Sequence, residues 1–397
     1  MKWSSAVSEF PTTGDAIAEC ADQVLRGLDG LAPDLVVAFP SAHHAPEFGN
    51  VPELISRRLN AGALIGCSGG GVIGAGREVE HRPGFSLTAA HLPGVEIVHF
   101  HLENEDLPTE DAAPDEWEDM LGVKAADRPD FIILADPYTF MTDKLIAGLD
   151  YAFAASAKIG GMASGAQQWG GNALYTGGKT HRSGAVGVSL HGEVTVDTIV
   201  AQGCRPIGSP MQVTACKQTM LLELEGKRPI DVLKSVYEKL NTNDQRLVTR
   251  HSLFLGIVMD PLNDNPMLGD FLIRNILGAD HATGGISVDE VLREGQTVQF
   301  HLRDADTSSR DLESLLDRYA GRHPAADGAG ALLFQCLGRG SYLYGRPDHD
   351  TEMFRHKVSP MPLSGFFCNG EIGQVGGATF LHGYTSSFGI FRPRAAV

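Results

Sequence analysis

The sequence predicts a mixed α/β protein of two related domains, built from repeated strand–helix–strand units that end in glycine-rich loops. Three observations carry this. A strand, a helix-length stretch and a second strand breaking into glycines recur three times; glycine numbers 47 and clusters where aliphatic runs stop; and apolar stripes of helical spacing fill the intervals.

The first unit runs from Leu35-Val-Val-Ala-Phe39 to Ala63-Leu-Ile-Gly-Cys-Ser-Gly-Gly-Gly71. The second runs from Phe131-Ile-Ile-Leu-Ala135, through Leu145, Leu149 and Phe153, to Ile159-Gly-Gly-Met-Ala-Ser-Gly165. The third runs from Ala331-Leu-Leu-Phe-Gln-Cys336 to Leu363-Ser-Gly-Phe-Phe-Cys-Asn-Gly370. First strand residue and loop glycine lie 31 positions apart from Leu35 to Gly66, 30 from Phe131 to Gly161 and 34 from Ala331 to Gly365. That distance suits a crossover helix between parallel strands. A further strand-like segment follows each loop (85–91, 185–190, 379–391) and predicts a hairpin closing each unit of a mixed sheet.

Helical stripes join Ile17, Ala21, Val24 and Leu28; Ile230, Leu233, Tyr237 and Leu240 behind Pro229; and Leu312, Leu315, Leu316 and Tyr319. The segment GCRPIGSP (203–210) is rich in turn formers and places the domain boundary there, giving domains 1–205 and 206–397. The acidic stretch 103–127 reads as an exposed excursion, and 323–330 as a short linker.

Lys and Arg number 32 against 49 Asp and Glu, a net charge of −17, with no basic block to offset it locally. A phosphate backbone or anionic membrane surface would be repelled, so neither nucleic acid nor membrane is an expected partner. Aliphatic runs stop far short of the ~20 residues a bilayer needs, and the N-terminal stretch lacks a signal-peptide core. A cytoplasmic location is expected. Six cysteines without a C-x-x-C pair read as reduced thiols.

Two short motifs overlap in the first loop. Gly66-Cys-Ser-Gly-Gly70 matches the serine-nucleophile pattern and Gly69-Gly-Gly-Val-Ile-Gly74 the dinucleotide pattern. Both need a helix next, and Val72–Glu80, with Gly74 and Gly76, does not resemble one. Adjacent His43 and His44, and alternating His99 and His101, lack a third ligand in register, so no metal centre is expected. His251, His281, His301 and His382 stand alone as conceivable axial haem ligands.

The C-terminal strand ends are denser in chemistry. In Cys336-Leu-Gly-Arg-Gly340 the glycines let the backbone turn while Arg339 projects a cation suited to clamp an anion. Cys368-Asn-Gly-Glu371 sets a thiol, an amide and a carboxylate at a strand end, and His382-Gly-Tyr-Thr385 adds a phenol and a hydroxyl. The expected ligand-binding set is Arg339, Asn369, Glu371, Tyr384 and Thr385, with Cys67, Ser68, Ser164, Cys336 and Cys368 from the loops. A purely structural alternative pairs Glu371 with Arg339. No catalytic residue is assigned, although a thiol enzyme using Cys67, Cys336 or Cys368 is a competing reading.

The runs LIGCSGGGVIG (64–74), AQGCRPIGSP (201–210), LLELEGKRPIDVL (221–233), LLFQCLGRG (332–340), PLSGFFCNGEIGQVGG (362–377) and FLHGYTSSF (380–388) resemble the FIST proteins. These carry a FIST N-terminal and a FIST C-terminal domain in tandem, here 1–205 and 206–397. The resemblance implies a sensory module for signal transduction that binds a small ligand, an amino acid or another anion; no catalysis and no cofactor are expected. Haem-binding nitric-oxide sensing is the alternative it offers, and a protein-interaction scaffold is a further one. With no F-box before the first strand and no kinase or cyclase segment after Phe391, any output is expected to pass to a separate signalling protein.

Overall fold

A computed structural model describes residues 1–109, 111–250, 252–323 and 327–394. His251 and residues 324–326 of the expected linker lie outside these. The fold is mixed α/β, and the chain divides into two compact units. One gathers Met1–Val200, Glu313–Leu381 and the chain from Thr385; the other holds Ala201–Leu312 and His382–Tyr384.

In chain order the first repeat is β1 (Lys2–Ser8), α1 (Thr13–Gly27), β2 (Leu35–Pro40), α2 (Val51–Ser56), β3 (Ala63–Cys67), β4 (Gly71–Gly74), β5 (Arg77–Glu80) and β6 (Phe85–His91). The second is β7 (Val95–Leu102), α3 (Pro114–Leu121), β8 (Asp130–Ala135), α4 (Thr142–Ala152), β9 (Lys158–Met162), β10 (Leu174–Thr176), β11 (Lys179–His181) and β12 (Ala185–Gly192). The third opens with β13 (Val194–Ala201) and is then interrupted. The insertion is β14 (Cys204–Lys217), β15 (Met220–Leu224), α5 (Pro229–Lys239), α6 (Thr242–Thr249), β16 (Leu253–Val258), β17 (Phe271–Asp280), β18 (Gly285–Val288) and β19 (Thr297–Arg303). The third repeat resumes with α7 (Ala305–Arg322), β20 (Gly330–Cys336), α8 (Gly340–Tyr344), α9 (His349–Lys357), β21 (Leu363–Cys368), β22 (Glu371–Val375), β23 (Ala378–His382) and β24 (Ser386–Pro393).

The repeats build three six-stranded sheets of one topology, in the orders β1-β6-β2-β3-β10-β11, β7-β12-β8-β9-β22-β23 and β13-β24-β20-β21-β4-β5. Each sheet has a central parallel pair (β2/β3, β8/β9, β20/β21) with the repeat's last long strand antiparallel to the first member. The short hairpin after each glycine loop, however, joins another repeat's sheet. The first repeat gives β4–β5 to the third, the second gives β10–β11 to the first, and the third gives β22–β23 to the second. The expected closing hairpin is thus two features, a strand that stays and a hairpin that is exchanged in a cycle.

Strand alternation explains why the central strands read as unbroken aliphatic runs. Leu35, Val37 and Phe39, with Ile132, Leu134, Leu332 and Phe334, meet in one inner core fed by all three sheets. Val36 and Ala38 turn outward under α1 and α2, where Ile17, Ala21, Val24 and Leu28 cover them. Phe131, Ile133 and Ala135 turn out under α3 and α4. This corrects the reading of 103–127 as an exposed excursion, because Trp117 and Leu121 of α3 are buried in that layer.

The second unit is a closed barrel in the order β14-β15-β18-β17-β16-β19, filled by Leu255, Ile257, Val298, Phe300 and Leu302. Leu233 and Leu240 of the expected stripe, joined by Val232 and Val236, lie half-buried against that core. The segment 203–210, the expected domain boundary, enters β14, whose pairing with β19 is interrupted between Ile207 and Met211, where the turn formers sit. No helix among the described residues is long and apolar enough to cross a membrane.

Candidate functional site

The glycines that punctuate the repeats occupy one equivalent position. Gly66 pairs with Ala38, Gly160 with Ile133 and Gly365 with Leu333 across the three parallel pairs. A Cβ at any of them would overlap the carbonyl oxygen of its partner. On the other side each faces a fully buried residue of the incoming hairpin: Tyr175, Ile372 and Ile73 respectively. The glycines are therefore the seats on which the exchanged hairpins settle.

Beyond them the carboxyl ends of all three strand pairs come together. Ser41 and Asp136 follow β2 and β8 and Cys336 ends β20, and their N–H groups donate to the carbonyls of Gly84 (2.8 Å), Gly184 (2.9 Å) and Thr385 (3.0 Å). The loops after the second strands are knitted into a ring. The Ser164 N–H donates to Ser68 O (3.0 Å) and the Asn369 N–H to Met162 O (3.0 Å). The third junction is bridged by a side chain: the Gly70 N–H donates to Ser164 Oγ (2.9 Å), and that hydroxyl donates to Phe367 O. Carboxyl ends of parallel strands are where open α/β sheets place their ligands.

A buried polar chain backs the ring. Ser68 Oγ accepts from the Ala173 N–H (3.0 Å) and donates to Asn172 Oδ1 (3.2 Å), which also accepts from the Ala166 N–H (2.9 Å). Asn172 Nδ2 donates to Asp136 Oδ1 (2.9 Å), while Asp136 Oδ2 accepts from Thr139 Oγ1 (2.8 Å) and the Tyr138 N–H (3.2 Å). Sequence reasoning missed Asp136 and Asn172. The signal for Asp136 was an Asp-Pro-x-Thr turn at the end of a buried strand, where an Asp folds back on the backbone two residues on.

Of the residues expected to bind ligand, Cys67, Ser68, Ser164, Cys336, Cys368 and Asn369 gather at these strand ends, with Asn369 exposed, Cys336 half-buried and the rest buried. Burial pushes the Cys67 and Cys368 thiols well up, so neither is suited to make the first attack on a substrate arriving from solvent. Glu371 is buried and accepts from the Thr385 N–H (3.1 Å) and Oγ1 (2.9 Å), so these two residues hold each other. Tyr384 belongs to the barrel unit, where its phenol donates to Asn275, its ring packs on Phe254, and Arg303 lies 4.9 Å from the ring centroid.

Arg339 corrects the expected anion clamp. Its side chain has no exposure and its Nε donates to Asp350 Oδ2 (2.8 Å), while Nη2 reaches Asp350 Oδ1 (3.3 Å) and the Tyr344 hydroxyl (2.6 Å). The ion-pair partner is Asp350, not Glu371. Asp350 also accepts from Gln335 (3.1 Å), Ser386 (2.6 Å) and His349 (2.8 Å). Burial alone would raise its carboxyl, but the Arg339 charge and these hydrogen bonds hold it well below the usual carboxylate range. Beside it, Glu78 of the exchanged β4–β5 hairpin accepts from the Asp350 and Thr351 N–H groups (both 3.2 Å) at the start of α9. Burial, then the Asp350 charge, pushes Glu78 up to about 8. Arg339 thus fastens α9 to β20 rather than facing a ligand.

The short motifs resolve the same way. Strand β4, not a helix, follows the first glycine loop, so neither a nucleophile elbow nor a pyrophosphate cradle forms there. Among the described residues no group of three or more His, Cys, Asp and Glu could hold a metal ion. His101 stacks on His181 at 3.8 Å, and His44 bonds Thr13 through Nδ1 (3.1 Å).

Comparison with known proteins places this architecture. The FIST N domain model matches residues 34–227 and the FIST C domain model residues 229–374. The chain belongs to the FIST family. An uncharacterized protein of Mycobacterium bovis is 35% identical over 393 residues, spanning 98% of this chain and 99% of that protein. An uncharacterized protein of Mycobacterium tuberculosis is 35% identical over 394 residues, spanning 98% of this chain and 100% of its own. The FIST N match thus takes in most of the first repeat, the whole second one and the start of the barrel; the FIST C match takes in the rest of the barrel and most of the resumed third repeat.

Proposed function

We propose that this FIST protein is a non-catalytic small-ligand sensor whose ligand sits on the surface where the carboxyl ends of the three strand pairs meet. One observation carries the reading: loops from all three repeats are hydrogen-bonded into a single ring, so a ligand touching any of them engages the whole repeat unit. The surface there offers the Asn369 amide, the half-buried Cys336 and exposed Leu337. A mixed polar and apolar rim of this kind suits a small polar metabolite such as an amino acid. Arg182, exposed and donating from Nη1 to Gly171 O (3.4 Å) and Asn172 O (3.1 Å), is the cation beside this loop cluster in place of Arg339.

A sensor without chemistry of its own acts through a separate signalling protein, and a cytoplasmic location is part of the same reading. The test is native mass spectrometry of the purified chain, followed by calorimetry with the twenty amino acids and related carboxylates. The expected result is a ligand whose affinity falls about tenfold in Asn369→Ala, as for the loss of a hydrogen bond to a charged group. Binding that ignores Asn369, Leu337 and Arg182 replacements would move the site elsewhere. A Soret band in the purified protein would instead favour the haem alternative.

A further inference from the structure

Cys336 and Cys368 are register partners at the ends of the parallel strands β20 and β21. Two residues earlier on each strand, Phe334 and Phe366 are also partners and both point into the inner core. Side chains two apart share a face, so the two thiols project side by side from strands about 4.8 Å apart. That separation lies inside the Cα range a disulfide spans, roughly 4.4–6.8 Å. Their exposures differ in a useful way. Cys336 is half-buried at the loop surface, and the Gly338 N–H donates to its sulfur (3.5 Å), which favours negative charge there. Cys368 has no exposure, and a Cβ on Gly161 of β9 would overlap its Sγ, so that sulfur is packed against β9 of the second sheet.

We propose that Cys336 and Cys368 are a peroxide-responsive thiol pair, Cys336 being the residue attacked first and Cys368 the one that resolves it. The Cys336 thiolate attacks one oxygen of a hydroperoxide, the O–O bond breaks, and a sulfenic acid forms with release of hydroxide or alkoxide. The Cys368 sulfur then attacks the Cys336 sulfur, the S–O bond breaks, and the departing hydroxide takes the Cys368 proton as water. Both thiols are oxidised, and the peroxide is the two-electron oxidant reduced. The bond would staple the strand ends that carry Leu337 and Asn369. Its formation does not depend on the ligand reading.

The full chain is treated with hydrogen peroxide, blocked with N-ethylmaleimide in denaturant, digested and read by mass spectrometry. A peptide linking Cys336 to Cys368 that has lost two hydrogens and is released by dithiothreitol is the expected product. Cys216, half-buried in the barrel unit, is the internal reference. Both thiols intact once Cys216 is oxidised, a link to any other cysteine, or sulfinic acid at Cys336 without a link would overturn the pair. Cys368→Ala, checked for native circular dichroism, should accumulate a dimedone-reactive sulfenic acid at Cys336. Should it fail to fold, the wild-type product decides alone.

Discussion

The hydroxyl of Ser164, from the second repeat, donates to the carbonyl of Phe367 in the third and accepts from the Gly70 amide of the first. The other two junctions of the ring are direct backbone bonds, so this one is a side-chain spacer inserted where the pattern leaves a gap. Removing it leaves a buried carbonyl and an amide without their partner. Ser164→Ala should lower stability by about 1–3 kcal/mol, the desolvation cost of an unsatisfied polar group. Urea midpoints check this, and an unchanged midpoint would mean that the loops close over the gap.

The seat glycines should tolerate nothing larger. Gly160 and Gly365 have φ of +154° and +156°, and a Cβ at either would overlap the carbonyl of Ile133 or Leu333. Gly160→Ala and Gly365→Ala should each unseat a central strand pair, giving insoluble protein or a loss beyond about 3 kcal/mol, where strain and overpacking act together. Gly14 in α1 is the control: nothing lies near its Cβ position, so Gly14→Ala should stabilise by about 0.5–1 kcal/mol. Soluble yield and thermal melts of the three variants separate backbone geometry from loss of glycine as such.

Arg339→Ala leaves Asp350 buried among polar donors but without its counter-charge. Breaking one side of a buried pair costs about 3–5 kcal/mol. The loss should appear in urea unfolding, with ligand affinity preserved in whatever protein remains folded. A variant as stable as the wild type would mean that water or another cation reaches Asp350.

Stability should fall as pH rises from about 6.5 to about 8. Glu78 has a folded pKa near 8 against an ordinary value of 4.5, so the folded state holds a proton that the unfolded chain gives up. Such a group contributes stability below its unfolded pKa and loses it as pH climbs through the folded one. The thiols and phenols that burial raises act above this interval, and a further set acts below it. Asp130, raised to about 6 by burial, has the same sign but completes its change near pH 6, whereas His44 and His301, lowered to about 4 by burial, add stability as pH rises to 6.5. The lowered His181 and Lys158 have the opposite sign, so a fall in stability between pH 6.5 and 8 is the Glu78 signature, and Glu78→Gln should remove it. A wild-type urea midpoint that does not move across that interval would show Glu78 already ionised.

The sequence made the repeats legible because their central strands are buried on both faces, so alternation vanishes and the aliphatic runs stand out. The exchange of hairpins was not legible. Strands such as Leu174–Thr176 and Gly71–Gly74 are too short to carry a period, and their sheet is chosen by which glycine seat they reach. The barrel was hidden for a related reason: Gly208, Ser209 and Pro210 sit inside a strand at a break in its pairing, where turn chemistry and strand structure coexist. That the cysteines, serines and Asn369 stand at strand ends could be read from position alone. Arg339 could not, since nothing in Gly-Arg-Gly announces that Asp350, eleven residues on at the start of α9, takes its charge.

Trp169 gives the ligand surface its own reporter. Of the three tryptophans, Trp3 and Trp117 are 4% exposed, whereas Trp169 is 75% exposed in the loop between β9 and β10. That loop is anchored by the Ala166 N–H on Asn172 Oδ1, one bond from Ser68 in the ring. Acrylamide should therefore quench Trp169 while leaving the buried pair bright, and Trp169→Phe should remove the quenchable fraction without changing the melt. A ligand held at the strand ends should reduce quenching in the wild type, because the loop carrying Trp169 starts from a residue that the ring itself positions. Ligand binding proven by calorimetry but without effect on Trp169 would place the ligand away from the second repeat's loop, and would shift attention to Asn369 and Leu337 on the third.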